Sequence, residues 1–404
     1  MRHIYSQIAL ALAFPITLGA QNVVTDSSRH AQLFVRVAPD VALEVLDWGG
    51  SGRPLVLLAG RGNTAHVFDT FALKLTDEFH VYGVTRRGFG NSTRTTSGFL
   101  ADSLGDDVLA VMDTLDIGQP VLIGHSIAGQ ELSSIGSRFP DRIAGLVYLD
   151  AGFHFAFYDS SAGRAPVFFR DMQRKLARLA DLSVGMTLRE RHALIQELLE
   201  NIPILERDLR SWRQDIAAVA DKSRILPRPD SNPIHRALAM GQQKYTSVRA
   251  PVLAIFAYPA QYPPALPTDS ASRARFDSLA AVAQSPQINA FERGIPWARV
   301  VRIPHANHYV FRSHEADVLR EIREFVAALP GAVAGAPGSG PCTAMRADSL
   351  VYLVNGKPTS CMAAMTIARN RIASIEVLKG AAAAMQYPGT AAEGVILIQT
   401  RAAR

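Results

Sequence analysis

Between residues 30 and 150 two hydrophobic periods alternate. Continuous apolar runs of strand length recur in "RPLVLLAGRGN", "FHVYGVTRRGFGNS", "QPVLIGH" and "IAGLVYLDAG", each ending in glycine, charge or a turn. Such runs predict strands buried on both faces of a sheet. "VALEVLDWGG" predicts a further strand ending in a turn. Between the runs lie stretches with helical spacing: "FDTFALKLTD", "LADSLGDDVLAVMDTLD" and "IAGQELSSIGSRFP". Asp102 is placed to cap the second of these. Repeated strand–helix–strand units predict a parallel sheet covered on both faces.

From about residue 153 to 248 the strand pattern stops. The segment is rich in Arg, Leu and Ala and predicts several helices, with "RKLARLADL" and "RERHALIQELLENI" the clearest. Strand signal returns at "APVLAIFAYP", followed by a helix near "SASRARFDSLAAVA", the strand "WARVVRIP", the loop "HANHY" and a last helix, "SHEADVLREIREFVAAL". A helical insertion, 153–248, therefore interrupts an α/β domain of residues 30–330. A Pro/Gly/Ala linker over 331–341 separates it from a small unit, 342–404.

Composition narrows the picture. Hydrophobic residues make up 48% and charged residues 19%, which excludes a disordered chain. The net charge of +6 comes from scattered arginines without a dense basic block, so no nucleic-acid partner is expected. The start, "MRHIYSQIALALAFPITLGAQN", pairs a short basic end with an apolar run too short to span a bilayer well, and Gly19-Ala20 suits signal-peptidase cleavage. Residues 1–20 are expected to be a signal peptide, and the mature chain periplasmic or secreted. The two cysteines, Cys342 and Cys361, both lie in the small unit. In an exported chain they are a candidate disulfide. The large domain has no thiol, and no metal-ligand cluster or cofactor motif is found, so no cofactor and no metal are expected.

Candidate chemistry begins at "VLIGHSIAGQEL". Ser126 stands between an apolar strand and a helix, with Gly124 two before it and Ala128 two after it. Small residues there let strand and helix pass closely, so the hydroxyl stands exposed at a strained turn. A serine nucleophile needs a base. His308, in "IPHANHYVF" between the last strand and last helix, is the expected base; His305 is its competitor. His125 is expected to be structural, and His154 and His66 to sit where they can line a pocket. The base needs an orienting acid. The loop after "PVLAIFA" offers none before Asp269, whereas the preceding strand ends in Asp150. Asp150 is favoured and Asp269 remains the alternative. Two N–H donors should hold an oxyanion, Ile127 next to the serine and Arg61 in "AGRGN". Phe153, Phe155, Phe157, Tyr158 and Tyr258 are candidate pocket aromatics.

At these residues, carried by "LLAGRGNTAHVFD", "RRGFGNS", "LIGHSIAGQEL" and "PHANHYVF", residues 30–330 resemble the α/β-hydrolases. The resemblance implies a mostly parallel, eight-stranded sheet, a helical cap after the sixth strand (153–248), and a Ser–His–acid site beneath it. Its nearest branch is the esterase and epoxide-hydrolase-like group. Epoxide hydrolases and haloalkane dehalogenases would need aspartate where Ser126 stands. Departures are Ala128 for the usual glycine, Ala59 for a histidine, and the missing acid after "PVLAIFA". The tail, with "DSLVYLVNGKP" and "IASIEVLKGAAAAMQYPGTAAEGVILIQTR", resembles the plug domain of TonB-dependent outer-membrane receptors, with Tyr387-Pro388-Gly389 departing from the usual Tyr-Gly. It implies a separate small α+β plug-like domain, expected here as a detached module. Together the expectation is an exported serine hydrolase acting on a small ester-like substrate, with an envelope protein as a possible partner of the tail. The alternative is an inactive scaffold that binds through the tail.

Overall fold

The structure is a computed structural model. It describes residues 28–162, 165–181, 185–217, 230–263, 269–331, 350–360, 363–364, 367, 371–379 and 394–400. The signal segment, most of the linker, Cys342 and Cys361, and the Ala-rich stretch after Lys379 lie outside the described residues.

The chain runs β1 (Ala31–Ala38), β2 (Val41–Gly49), β3 (Pro54–Leu58), α1 (Asp69–Leu73), β4 (His80–Val84), α2 (Ala101–Thr114), β5 (Val121–His125), α3 (Gly129–Arg138) and β6 (Gly145–Leu149). The insertion carries α4 (Pro166–Ala180), α5 (Leu188–Ala217) and α6 (Pro233–Met240). Then follow β7 (Val252–Ala257), α7 (Ser270–Gly294), β8 (Arg299–Ile303), α8 (Val310–Ser313) and α9 (Glu315–Ala328). The tail adds β9 (Leu350–Val354), β10 (Lys357–Thr359), β11 (Ile372–Lys379) and β12 (Gly394–Thr400).

Strands β3 to β8 are parallel, and β2 runs antiparallel to both β1 and β4. Alternation sorts their side chains. Val56, Leu58 and Leu122 face a core shared with Val108, Val111 and Met112 of α2 and Leu132 and Ile135 of α3. Leu55, Leu57 and Ile123 face the opposite core, closed by Phe68, Phe71, Phe311, Val318 and Ile322. Burial on both faces explains why these strands read as unbroken apolar runs.

Two expectations are corrected here. The sheet is twelve-stranded and mixed, ordered β10-β9-β12-β11-β1-β2-β4-β3-β5-β6-β7-β8, where eight strands were expected. The four tail strands continue the hydrolase sheet: β11 pairs in parallel with β1, and Arg36 meets Glu376 at 3.0 Å across the junction. Without β11 the β1 edge would present unpaired backbone groups. The small unit is thus joined to the large one through its backbone. The second correction concerns Asp102, which does not cap α2. Leu100 holds that position without a side-chain cap. Asp102 instead accepts from Ser134 at 2.7 Å, Gln243 at 2.8 Å and Tyr245 at 2.7 Å, tying α2 to α3 and to the segment returning from the insertion. Among the described residues, no helix is long and apolar enough to cross a membrane.

Candidate active site

Strand β5 enters α3 through a single 3-10 turn, Ser126–Ala128. Ser126 has φ 54°, a left-handed conformation costly for a residue with a Cβ. Packing on both sides of the turn holds it there. A Cβ on Gly124 would lie 2.9 Å from Leu132 and 3.2 Å from the Ala128 methyl, so the methyl at 128 fits because residue 124 has none. A Cβ on Gly129 would lie 2.2 Å from the Ala151 carbonyl oxygen. Helix α3 therefore crosses the end of β6 at backbone contact, which turns the serine hydroxyl out of the sheet.

His308 lies between β8 and α8. Its Nδ1 is 2.7 Å from Asp150 Oδ2 and its Nε2 is 2.8 Å from Ser126 Oγ. A carboxylate only accepts, so Nδ1–H donates to Asp150, and Nε2 is left to accept the serine proton. Asp150 directly follows β6, is 7% exposed and has φ 44°. Its other oxygen accepts the Ala257 N–H at 3.2 Å, and its own N–H donates to Ile255 at 2.7 Å. The ends of β6 and β7 thus hold both carboxylate and backbone. Asp269 is elsewhere: it caps α7, accepting from the Ser272 N–H at 2.8 Å, and those hydrogen bonds lower its pKa.

The loop after β3 passes close to the serine. A Cβ on Gly60 would lie 3.3 Å from Ser126 Cβ and 2.6 Å from His125 Nδ1, so glycine is needed there. Arg61 follows at once, and Ile127 follows the serine. Both expected donors are therefore on segments that meet at Ser126.

Of the other histidines, His125 is buried, and its Nε2–H donates to the His308 carbonyl at 2.9 Å. Burial, reinforced by His308, holds its pKa well below the usual histidine range, so it stays neutral as it supports the backbone of the neighbouring histidine. His305 is exposed and holds its loop through a backbone bond to Pro259. His66 pairs with Asp69 at 3.2 Å and lies edge-on to His30. His154 is half-buried, and that burial lowers its pKa. Among the aromatics, Phe153 lies with its ring 6.2 Å from His308 and 5.5 Å from Phe155. Phe157 and Tyr158 are buried in packing, and Tyr258 is bonded to Ser285. Helix α6 closes over this side, with Leu238 and Ile234 packed on Ile127, Phe89 and Phe99.

The sequence reading passed over Arg86 and Glu131. Arg86 donates to Glu131 at 2.5 Å and to the Ala59 carbonyl at 3.0 Å, all buried. Burial raises the Glu131 pKa, and the arginine opposes that rise. The pair fastens the loop carrying Arg61 to α3, the helix that follows the Ile127 turn. A carboxylate inside a helix with small, otherwise uncharged neighbours was the available signal. Among the described residues, no cluster could hold a metal ion.

Residues 53–315, more than half of the chain, match the family of the α/β hydrolase fold, and the chain belongs to that family. Among curated relatives, it is 29% identical over 101 residues to 2-(acetamidomethylene)succinate hydrolase of Mesorhizobium japonicum, covering 25% of this chain and 36% of that protein. It is 29% identical over 218 residues to an sn-1-specific diacylglycerol lipase of Xenopus laevis, covering 50% of this chain and 66% of that one. The chain thus spans about a third of the first relative and just under two thirds of the second. A crystal structure of E-2-(acetamidomethylene)succinate hydrolase superposes with a TM-score of 0.45 at 20% identity, covering 74% of this chain and 100% of that one. Further relatives are named as esterases. At the level of the family these names support a hydrolase or esterase type of function.

Proposed function

We propose that the chain is an exported serine hydrolase that cleaves a small ester-like substrate through an acyl-enzyme. The observation that carries this reading is the unbroken relay from Ser126 Oγ through the His308 ring to Asp150. Ser126 Oγ attacks the carbonyl carbon while His308 Nε2 takes its proton. Asp150 holds the ring in the tautomer that makes this possible and stabilises the imidazolium. The N–H groups of Ile127 and Arg61 receive the charge on the carbonyl oxygen. His308 returns the proton to the leaving alcohol. Water then loses a proton to His308 and attacks the acyl carbon, releasing the acid and restoring Ser126. No step calls on a cofactor or metal. The insertion over 153–248 acts as the cap, with α6 and Phe153 setting the room beside the serine.

Residues 342–404 are read as a plug-like module on the same exported chain. Supporting this are the hairpin of β9 and β10 through Asn355 and Gly356, both at positive φ, and the strands β11 and β12. Docking to an envelope protein is the role this module suggests. The rival reading, an inactive scaffold that works only through its tail, has the geometry of the relay against it.

The test is steady-state hydrolysis of p-nitrophenyl acetate and butyrate by the mature chain beside Ser126→Ala. The expected result is turnover that falls by about 10⁴-fold or more in the variant. Equal turnover by both proteins would contradict the reading.

A further inference from the structure

Helix α5 carries an apolar row that nothing in the described chain covers. Leu188, Ile195, Ile202, Leu209 and Ile216 recur every seven residues, and all are exposed, from 38% at Ile195 to 86% at Leu188. The buried stripe of the helix, Leu194, Leu198, Asn201 and Asp208, runs beside this row, about a quarter-turn round, and leaves the row itself facing outward. An open groove of about 360 Å³ runs along the exposed row, lined by Ile202, Leu205, Glu206, Leu209, Arg210 and Arg213. A seven-residue apolar repeat is the period that keeps one helix facing another. Rows of this size exposed on a water-soluble surface mark contact sites.

We propose that this row is a two-fold interface between two copies of the chain, with α5 of each packed antiparallel on α5 of the other and Leu209 on the axis. Charge selects both occupant and register. The helix carries five arginines against six carboxylates, the wrong balance for an anionic lipid surface, which needs an excess of Lys and Arg. Two-fold pairing is self-complementary: if residue i meets j, then j meets i. Of the registers that keep the repeat in step, three place the axis between Ile202 and Leu209, the stretch that lines the groove. With Ile202 on the axis, Arg213 falls beside His192 of the other copy. With the axis midway between Ile202 and Leu209, Glu206 meets its own copy. With Leu209 on the axis, Ile202 faces Ile216, and Glu206 lies beside Arg213 twice over. Of these three, only the last brings opposite charges together beside the row, and it centres on the groove. The overlap runs from Ile202 to Ile216, about 21 Å of helix.

This inference is independent of the proposed chemistry. The test is sedimentation equilibrium of the mature chain across a concentration series, with thermal unfolding as a control for folding. The wild type should be a concentration-dependent dimer. Leu209→Glu, at an exposed position, should be monomeric with the melting temperature that the wild type shows at concentrations where it too is monomeric, and Ile202→Lys should behave the same way. Glu206→Arg and Arg213→Glu should each weaken association by about tenfold, since each places two like-charge pairs at the interface. The double variant E206R/R213E should recover most of the loss. A wild type that stays monomeric overturns the proposal, as does a dimer that survives both Leu209→Glu and Ile202→Lys. Charge losses that add in the double variant overturn the register. Wild-type chain that is monomeric but pellets with phosphatidylglycerol vesicles overturns the choice of occupant.

Discussion

Along β5 every side chain from Val121 to His125 is buried, and α3 continues that burial through Gly136. Along the thirty residues of α5 only Leu194, Leu198, Asn201 and Asp208 are buried. The first region is packed from both faces and fixed by sheet hydrogen bonds, so it can hold Ser126 and Asp150 at positive φ. The second packs on one side only and carries no strained residue of the site. The insertion is tied down at a few points, through Asp102 and through Ile234 and Leu238. The contrast teaches that the floor sets atomic positions, while the insertion is held at few points and presents an outward surface. Substitutions in the floor should therefore cost activity or stability steeply, and those on the outer face of α5 should cost neither.

The steepest effect separates the two candidate acids. Asp150→Asn should lower ester hydrolysis by about 10³- to 10⁴-fold with the fold retained, because Nδ1 loses its carboxylate. Asp269→Asn should leave the rate essentially unchanged, because its side chain caps α7. Kinetics on p-nitrophenyl butyrate decide between them. Next come the buried supports of the floor. Arg86→Ala should destabilise by about 3–5 kcal/mol in urea unfolding, since it leaves the Glu131 carboxylate buried and unpaired. Arg213→Ala, on the exposed face of α5, should fall within about 0.5 kcal/mol of wild type when measured under monomeric conditions. A smaller loss, about 1–3 kcal/mol, is expected for Gly129→Ala, whose methyl must push the Ala151 backbone away.

The smallest effect lies where the end of the insertion meets α2. Burial works to raise the Asp102 pKa, but the hydrogen bonds from Tyr245, Ser134 and Gln243, with Arg138, outweigh it and bring it below 3.8. A carboxylate with a lowered folded pKa contributes stability that is fully present above its unfolded value. That contribution is lost as pH falls through the folded value. The wild type should therefore lose stability below about pH 3.8 more steeply than Asp102→Asn. Partial exposure of the side chain keeps this difference modest. Thermal melts between neutral and acid pH would read it.

Much of the floor was legible because its physics is local. Strands buried on both faces leave unbroken apolar runs, and a serine at a strand-to-helix turn needs small neighbours within two or three residues. Asp150 could be favoured because it ends such a run, although Asp269 stayed open until the geometry placed it at the start of α7. What stayed hidden depends on partners distant in sequence. The Arg86–Glu131 pair spans β4 and α3, and Asp102 draws ligands from α3 and from the far end of the insertion. Both look like ordinary surface charges in the sequence. The joining of β11 to β1 was hidden for a similar reason: strands pair through backbone atoms, which carry no residue signature. The exposed row on α5 was masked by amphipathicity, because one helix carries both a buried face and an apolar outer one.

The central claim is that Ser126 is a nucleophile activated by His308. It is tested most directly by treating the mature chain with a fluorophosphonate and mapping the adduct by peptide mass spectrometry, beside Ser126→Ala and His308→Ala. The account predicts a single phosphonylated site at Ser126, absent from the first variant and sharply reduced in the second. A folded wild-type chain that takes up no label, or one labelled equally without His308, would contradict it.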